Sequence, residues 1–294
     1  TPHALRDAAW LQRNPQARAH DLMEAFADPA IRGIISSIGG DDSIRLDKGG
    51  SAPQHAPLPA PFRPRPPPAP PGRVASTLFL QGCNFRCPYC HNPELVLHEE
   101  VGGQGPVDLD EVITYLATYS RMLEGVCLTG GEPLLQKGLP ELCRQIRGLG
   151  LQVKLDTNGS LPERLGALLD ASLLDYVAVD IKGPPDKIRA IARTAMPETQ
   201  LLAATEATVE LIRASSVPYE LRTTVVPGLL DEGDLAHLGE WLEGSHRYFL
   251  QQFRPGKCLD PLFCDLPAYP PDYLKEQAEA LSRFFAECSV RGLG

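Results

Sequence analysis

No run of apolar residues in this 294-residue chain approaches the roughly 18 to 20 that a membrane span needs, so a bilayer is not expected as its partner. An excess of basic residues is missing too. The formal charge of -9 removes the electrostatic footprint of a general nucleic-acid binder, and no nucleic acid is expected. The opening residues TPHALRDAAWLQRNPQ lack a basic segment followed by an apolar stretch and a small-residue cleavage site. They do not read as a secretory leader, and the cytoplasm is the expected compartment. A disulfide framework is absent as well: of eight cysteines, three crowd between positions 83 and 90 and five are scattered. With 43% apolar and 22% charged residues, the chain has the length and composition for one large domain or two modest ones.

Proline is plentiful: 29 residues, ten of them between Ser51 and Gly72. That stretch lacks many backbone donors and favours an extended polyproline conformation, so residues 47–73 read as a semi-rigid linker. A proline-rich ligand for an adaptor domain is the alternative. Before the linker, ARAHDLMEAFAD places Leu22, Met23, Ala25 and Phe26 in a helical pattern, and Ile31 to Ile35 reads as a short strand before a Gly39-Gly40 turn. One helix and one strand cannot enclose a core. The stretch NPQARAHDLMEAFADPAIRGIISSIGGDDSIRL resembles the amino-terminal part of the LD-carboxypeptidase and microcin-immunity serine peptidases. In that family the nucleophilic serine lies further along the chain, so residues 1–46 read as a truncated fragment, and Ser36, Ser37 and Ser43 carry no catalytic assignment.

From residue 74 to residue 294 the pattern changes. Strand candidates STLFLQ, GVCLTG, LQVKLDT, LDYVAVDIK, YELRTTVV and RYFLQQF alternate with helical stretches near 109–122, 139–149, 161–170, 201–215, 232–243 and 272–288. Parallel neighbours need crossover connections, so this alternation predicts an α/β fold with a parallel sheet covered by helices. Six units instead of eight predict a partial (β/α)6 barrel, preceded by the short helix-strand fragment and the proline-rich linker. In such sheets the site is built at the carboxyl ends of the strands.

Directly after the first strand comes Gln81-Gly82-Cys83-Asn84-Phe85-Arg86-Cys87-Pro88-Tyr89-Cys90-His91-Asn92. Spacings of three and two intervening residues let a short loop curl around an iron-sulfur cubane and present the thiolates of Cys83, Cys87 and Cys90 to three of its irons. The remaining iron then has no protein ligand, and a small molecule can bind there directly. Zinc is the competing reading, with His91 or His98 completing a tetrahedron.

CNFRCPYC matches the radical S-adenosylmethionine signature, three cysteines with an aromatic before the last, and the resemblance runs over residues 74–294. TLFLQGCNFRCPYCHNPELV is most similar to the anaerobic ribonucleoside-triphosphate reductase activating proteins, within the glycyl-radical-enzyme activases. The resemblance implies a radical SAM fold and a [4Fe-4S] cluster whose open iron is chelated by S-adenosylmethionine, with Tyr89 near the adenine. It implies reductive cleavage of S-adenosylmethionine and formation of a glycyl radical on a partner, expected to be an anaerobic ribonucleotide reductase. Flavodoxin or ferredoxin is the expected electron donor. No general acid or base is required, and no catalytic side chain is assigned.

Other strand ends supply polar groups. Thr129-Gly130-Gly131-Glu132-Pro133 combines glycines that permit close backbone approach with a carboxylate that can accept from a ligand ammonium. Alone it reads as a turn with a solvated glutamate; beside the cysteine motif, Gly130, Gly131 and Glu132 resemble the family's contact to the methionine amino group. Asp156 and Thr157 precede a turn that equally suits helix capping. Asp180 and Lys182 share a face and can pair with each other; by resemblance to the pyruvate formate-lyase activases they contact S-adenosylmethionine. Asp156, Thr157 and Asp180 are also candidates for holding a monovalent cation. Arg222 can meet a carboxylate or ribose oxygens, or lie on the surface.

Cys127, in a strand, and Cys143, on a helix, read as buried packing residues, as does Cys288 on an amphipathic terminal helix; Cys258 and Cys264 receive no role. Two rival functions remain at this level: a radical enzyme acting on a small molecule, such as a deazapurine carboxylate synthase, and a non-catalytic iron-sulfur or zinc interaction module.

Overall fold

Each of the six strand candidates after residue 74 overlaps a strand, and helices alternate with them along the chain. A computed structural model describes residues 75–97 and 109–293. The fragment 1–46 and the linker 47–73 lie outside the described residues. Seven strands, β1 (Ala75–Leu80), β2 (Gly125–Gly130), β3 (Gln152–Thr157), β4 (Tyr176–Asp180), β5 (Tyr219–Val225), β6 (Arg247–Gln252) and β7 (Glu287–Arg291), form one parallel sheet in chain order. Among the described residues β1 and β7 each pair on one side only, so the barrel is incomplete, as the six-unit pattern predicts.

The helices follow from spacing. In the helix between β2 and β3 (Leu139–Gly148), Leu139, Leu142, Cys143 and Ile146 recur at helical intervals and are all buried. Burying side chains of this size contributes about 1.5 to 3 kcal/mol each, which outweighs the small differences in helix propensity along the segment. Helices at Leu109–Tyr119, Pro162–Asp170, Glu198–Ala214 and Glu232–Trp241 fall close to the predicted stretches. Short helices at Pro93–Leu97 and Ile188–Ala192 are additional.

The carboxyl end departs from expectation. The helix predicted over 272–288 spans Pro271–Leu281, tightens into a 3-10 turn at Ser282–Phe284, and gives way to β7. Cys288 therefore sits on a strand, not on a terminal helix, opposite Tyr248 of β6. From Glu287 on, the pattern alternates Glu, Cys, Ser, Val, Arg with period two, and pairing with β6 covers backbone groups that would otherwise form a free edge. Cys127 and Cys143 are buried as expected.

Strand alternation sorts the sheet into two faces. Val126, Leu128, Val153, Leu155, Val177, Val179, Leu221 and Leu250 are buried aliphatics of the hydrophobic core. The alternate positions, Thr77, Thr129, Lys154, Asp156, Asp180, Glu220, Arg222, Thr224, Gln251 and Arg291, are polar or charged. A buried sheet face rich in charge is costly unless the charges are paired and used. It is here, at the carboxyl ends of the strands, that a cleft of about 540 Å³ opens, within the size range of small-molecule sites.

Candidate active site

The loop after β1 carries all three predicted ligands to the cleft: Cys83, Cys87 and Cys90 all border it. Backbone contacts fix the loop from several sides. The Gly82 amide donates to the Leu95 carbonyl at 2.8 Å, Arg86 to Ala192 at 2.8 Å, Cys90 to Cys87 at 3.0 Å, and Asp260 to Pro88 at 2.9 Å. The Arg86 guanidinium reaches back to the carbonyls of Cys83 (2.7 Å) and Phe85 (2.8 Å). Asn84 donates to Ser160 Oγ at 2.8 Å and accepts from the Asn158 side chain at 2.9 Å, tying the loop to the turn after β3. Burial pushes the Cys87 thiol up to about 12 and raises those of Cys83 and Cys90. Loading metal must therefore displace protons from these groups, and metal affinity rises with pH.

The donor set fits a cluster. Three thiols from one loop are soft ligands, the type that iron-sulfur centres take. Among the described residues no three His, Cys, Asp or Glu side chains are grouped to hold a single metal ion; His98, one of the two histidines of the zinc reading, lies outside the described residues.

Gly130 and Gly131 also border the cleft, but the sharpest demand on them comes from the protein. The Gly131 amide donates to the Leu80 carbonyl at 2.9 Å, and the Glu132 amide donates to the Gly82 carbonyl at 2.7 Å. A Cβ on Gly131 would lie 1.9 Å from the Gly82 carbonyl oxygen, and Gly130, at φ +124°, has no room for one either. The paired glycines thus let β2 press against the start of the cysteine loop. Gly131→Ala is expected to destabilise the chain by about 1 to 3 kcal/mol, seen as a melting midpoint lowered by roughly 2 to 4 °C per kcal/mol for a domain of this size. Iron retained after reconstitution should fall in step.

Glu132 departs from its expected place. It is fully buried, and both carboxylate oxygens are engaged: Oε1 accepts from the Leu134 amide (3.0 Å) and from Thr157 Oγ1 (2.8 Å), and Oε2 from the Asn158 amide (2.7 Å). In place of the expected ligand ammonium it holds protein donors, latching the end of β2 to the end of β3. Burial raises its carboxyl to about 7 even against those hydrogen bonds. Thr157 borders the cleft, but its hydroxyl donates to Glu132 and accepts from the Gly159 amide at 3.2 Å.

The charged groups form one connected set. Arg222 is buried, not superficial; its Nε lies 2.8 Å from Asp180 Oδ1 and its Nη1 3.3 Å from Asp156 Oδ2. Lys182 Nζ sits 3.4 Å from Asp180 Oδ2, so the pairing that the alternation allows does form, and both residues still face the cleft. Burial opposes ionisation of Asp180, but Arg222 and Lys182 together outweigh it and hold the carboxyl down to about 2. Burial likewise opposes charge on Lys182, and Asp180 reverses that, keeping the amine above its usual range. Tyr89 is a buried residue of the cleft wall, and its hydroxyl, itself buried, has no hydrogen-bond partner.

Sequence reasoning missed the foundation of this set. Lys154 contacts Asp156 Oδ1 at 3.2 Å; Glu220, almost fully buried, accepts from both terminal nitrogens of Arg291 (2.7 and 2.9 Å) and from Tyr176 (2.8 Å). A signal was present: Lys154-Asp156 and Glu220-Arg222 are i, i+2 charge pairs, each with a leucine, Leu155 or Leu221, between the partners.

Comparison with known proteins agrees with this geometry. The family model for the Radical SAM superfamily matches residues 77–239, more than half of the chain, and that for the LD-carboxypeptidase N-terminal domain matches residues 1–49. A putative glycyl-radical enzyme activating enzyme of Methanocaldococcus jannaschii is 30% identical over 222 residues, covering 75% of this chain and 90% of that one. A pyruvate formate-lyase-activating enzyme of Staphylococcus epidermidis is 31% identical over 174 residues, 56% of this chain and 67% of the relative. A 7-carboxy-7-deazaguanine synthase of Methanopyrus kandleri is 39% identical over 130 residues, 38% of this chain and 51% of the relative. Among solved structures, a radical SAM methyltransferase from Sphaerobacter thermophilus superposes with TM-score 0.55 at 16% identity, covering 76% of this chain and 68% of that one. Streptococcus suis SuiB bound to S-adenosylmethionine gives TM-score 0.54 at 11% identity, and this chain spans about half of its length, 49%. Three thiols on the loop after β1, at the carboxyl edge of an incomplete parallel barrel, together with these matches, place the chain in the radical SAM superfamily, as an enzyme homologous to the glycyl-radical-enzyme activating enzymes.

Proposed function

We propose that this chain activates a glycyl radical enzyme, and that its partner is an anaerobic ribonucleoside-triphosphate reductase, with flavodoxin or ferredoxin as electron donor. Residues 74–294 form the catalytic unit in this reading, with 47–73 as a proline-rich linker. A [4Fe-4S] cluster held here would supply one-electron reduction of the sulfonium of S-adenosylmethionine, whose carbon-sulfur cleavage would give methionine and a 5′-deoxyadenosyl radical able to take a hydrogen atom from the partner's glycine. The rest falls to the chain's own groups. Cys83, Cys87 and Cys90 would hold the cluster. Lys182 and Arg222 bring positive charge to the co-substrate's carboxylate, and Asp180 orients both cations. Tyr89 forms part of the cleft wall, and Gly130 and Gly131 seat the end of β2 against the cysteine loop.

The observation that carries this reading is that three thiols and the Asp180-Lys182-Arg222 set border one cleft. A second reading, a small-molecule radical enzyme, draws on the identity to the deazaguanine synthase, but that match spans 51% of the relative, against 90% for the putative activase. Among the described residues no helix is long and apolar enough to cross a membrane. Paramagnetic resonance separates the two readings. Incubation of the reconstituted chain with the reductase, S-adenosylmethionine and a reductant should give a persistent glycyl doublet; 5′-deoxyadenosine released without a doublet contradicts the assignment.

A further inference from the structure

We propose that Arg222 is a built-in cation: its guanidinium takes the place between Asp156 and Asp180 that a bound sodium or potassium ion would otherwise fill, so that co-substrate binds without a monovalent metal ion. This rests on the reading that the cleft takes S-adenosylmethionine.

A monovalent ion at the ends of β3 and β4 needs oxygens that are not already committed. Here each of the four carboxylate oxygens has a protein cation within 3.4 Å, three of them through hydrogen bonds and Asp156 Oδ1 through an ion pair alone. Asp180 Oδ1 meets Arg222 Nε at 2.8 Å and Oδ2 meets Lys182 at 3.4 Å; Asp156 Oδ2 meets Arg222 Nη1 at 3.3 Å and Oδ1 meets Lys154 at 3.2 Å. The neighbouring Thr157 hydroxyl is committed to Glu132 and the Gly159 amide.

Arg222 is also held from below. Glu220 Oε1 lies 3.7 Å from its Nη1, and Arg291 and Tyr176 fix Glu220 in turn. A guanidinium does not lose its charge in a protein, and its planar fork spans two carboxylates in a way that an ammonium does not. Four cations (Lys154, Lys182, Arg222, Arg291) face three carboxylates (Asp156, Asp180, Glu220), leaving one positive charge in excess. That excess favours an anionic ligand group. A further cation would meet like charge at contact distance in a poorly screened interior.

The test compares choline, sodium and potassium chlorides at matched ionic strength. Two readouts serve: equilibrium dialysis of S-adenosylmethionine on the reconstituted chain, and sodium-23 or thallium-205 relaxation on the metal-free chain. For the unsubstituted chain, the dissociation constant should change by less than about twofold among the salts, with no saturable ion signal, whereas a coupled cation site gives a change of about tenfold. Arg222→Gln should acquire dependence, binding about tenfold more tightly once potassium is added, and Arg222→Lys, which keeps the charge without the fork, should respond less than Arg222→Gln. A cation-dependent affinity or a saturable ion signal in the unsubstituted chain overturns the proposal, as does a folded Arg222→Gln with no cation response. If Arg222→Gln does not fold, the unsubstituted chain decides alone. Failure to bind S-adenosylmethionine in any salt defeats the proposed function instead, and the relaxation measurement still decides whether Arg222 excludes the ion.

Discussion

Cys87→Ala is expected to abolish cleavage of S-adenosylmethionine while leaving the fold intact. Cys87 is the buried member of the trio, and its neighbours in the loop are anchored independently of its thiol, through the Arg86, Cys90 and Asp260 amides and the Asn84 side chain. Removing the sulfur deletes a cluster ligand but few packing contacts. Loss of an outer-shell partner at a metal site costs roughly 10- to 100-fold, so loss of a ligand itself should exceed about a hundredfold. The measurement is 5′-deoxyadenosine released under dithionite by the anaerobically reconstituted variant, alongside its iron content and melting midpoint. Activity near that of the unsubstituted chain would remove Cys87 from the metal site. A collapse of the melting midpoint in the metal-free state would make the thiol a packing residue instead.

Glu132→Ala should give the largest loss of stability, and one that depends on pH. Three donors converge on this carboxyl, the Leu134 and Asn158 amides and the Thr157 hydroxyl. Each buried donor left without an acceptor costs about 1 to 3 kcal/mol, so the deletion should cost about 3 kcal/mol or more. The folded carboxyl titrates near 7 against an ordinary value of 4.5, because burial disfavours the charged form. Between those values the folded chain binds more protons than the unfolded one. The contribution of Glu132 is therefore complete at acid pH and declines as pH rises through about 7, by about 3 kcal/mol in total at roughly 1.4 kcal/mol per pH unit. The deficit of Glu132→Ala should accordingly be largest near pH 5 and shrink towards pH 8, measured by urea unfolding of the metal-free protein. A deficit that grows with pH would mean that the folded site stabilises the carboxylate.

Sequence alone locates the site well and its wiring less well. The cysteine loop, the glycine pair, Asp156-Thr157, Asp180-Lys182 and Arg222 are all legible because each follows or ends a strand, and chain order in a parallel sheet brings those ends to one edge. What a carboxylate touches once it arrives is not local information. Glu132 looks like a ligand contact until the Asn158 amide, 26 residues on, is seen to close over it. Gly131 suggests close approach of a ligand, while the group that crowds it is the Gly82 carbonyl. Lys154, Glu220 and Arg291 form one network across strands β3, β5 and β7, and β7 itself was hidden, because Leu281 to Phe285 extends the apolar spacing of the preceding helix into the turn. Tertiary pairing with β6 decides that segment, not propensity.

In the proposed function Cys83, Cys87 and Cys90 would hold a cluster that supplies one-electron cleavage of S-adenosylmethionine. The most direct measurement is electron-nuclear double resonance on the reduced, reconstituted chain with S-adenosylmethionine labelled with nitrogen-15 at the amino group and oxygen-17 at the carboxylate. Strong coupling of both nuclei to the cluster is the result expected. Coupling to neither nucleus, in a cluster held by four protein side chains, would contradict it.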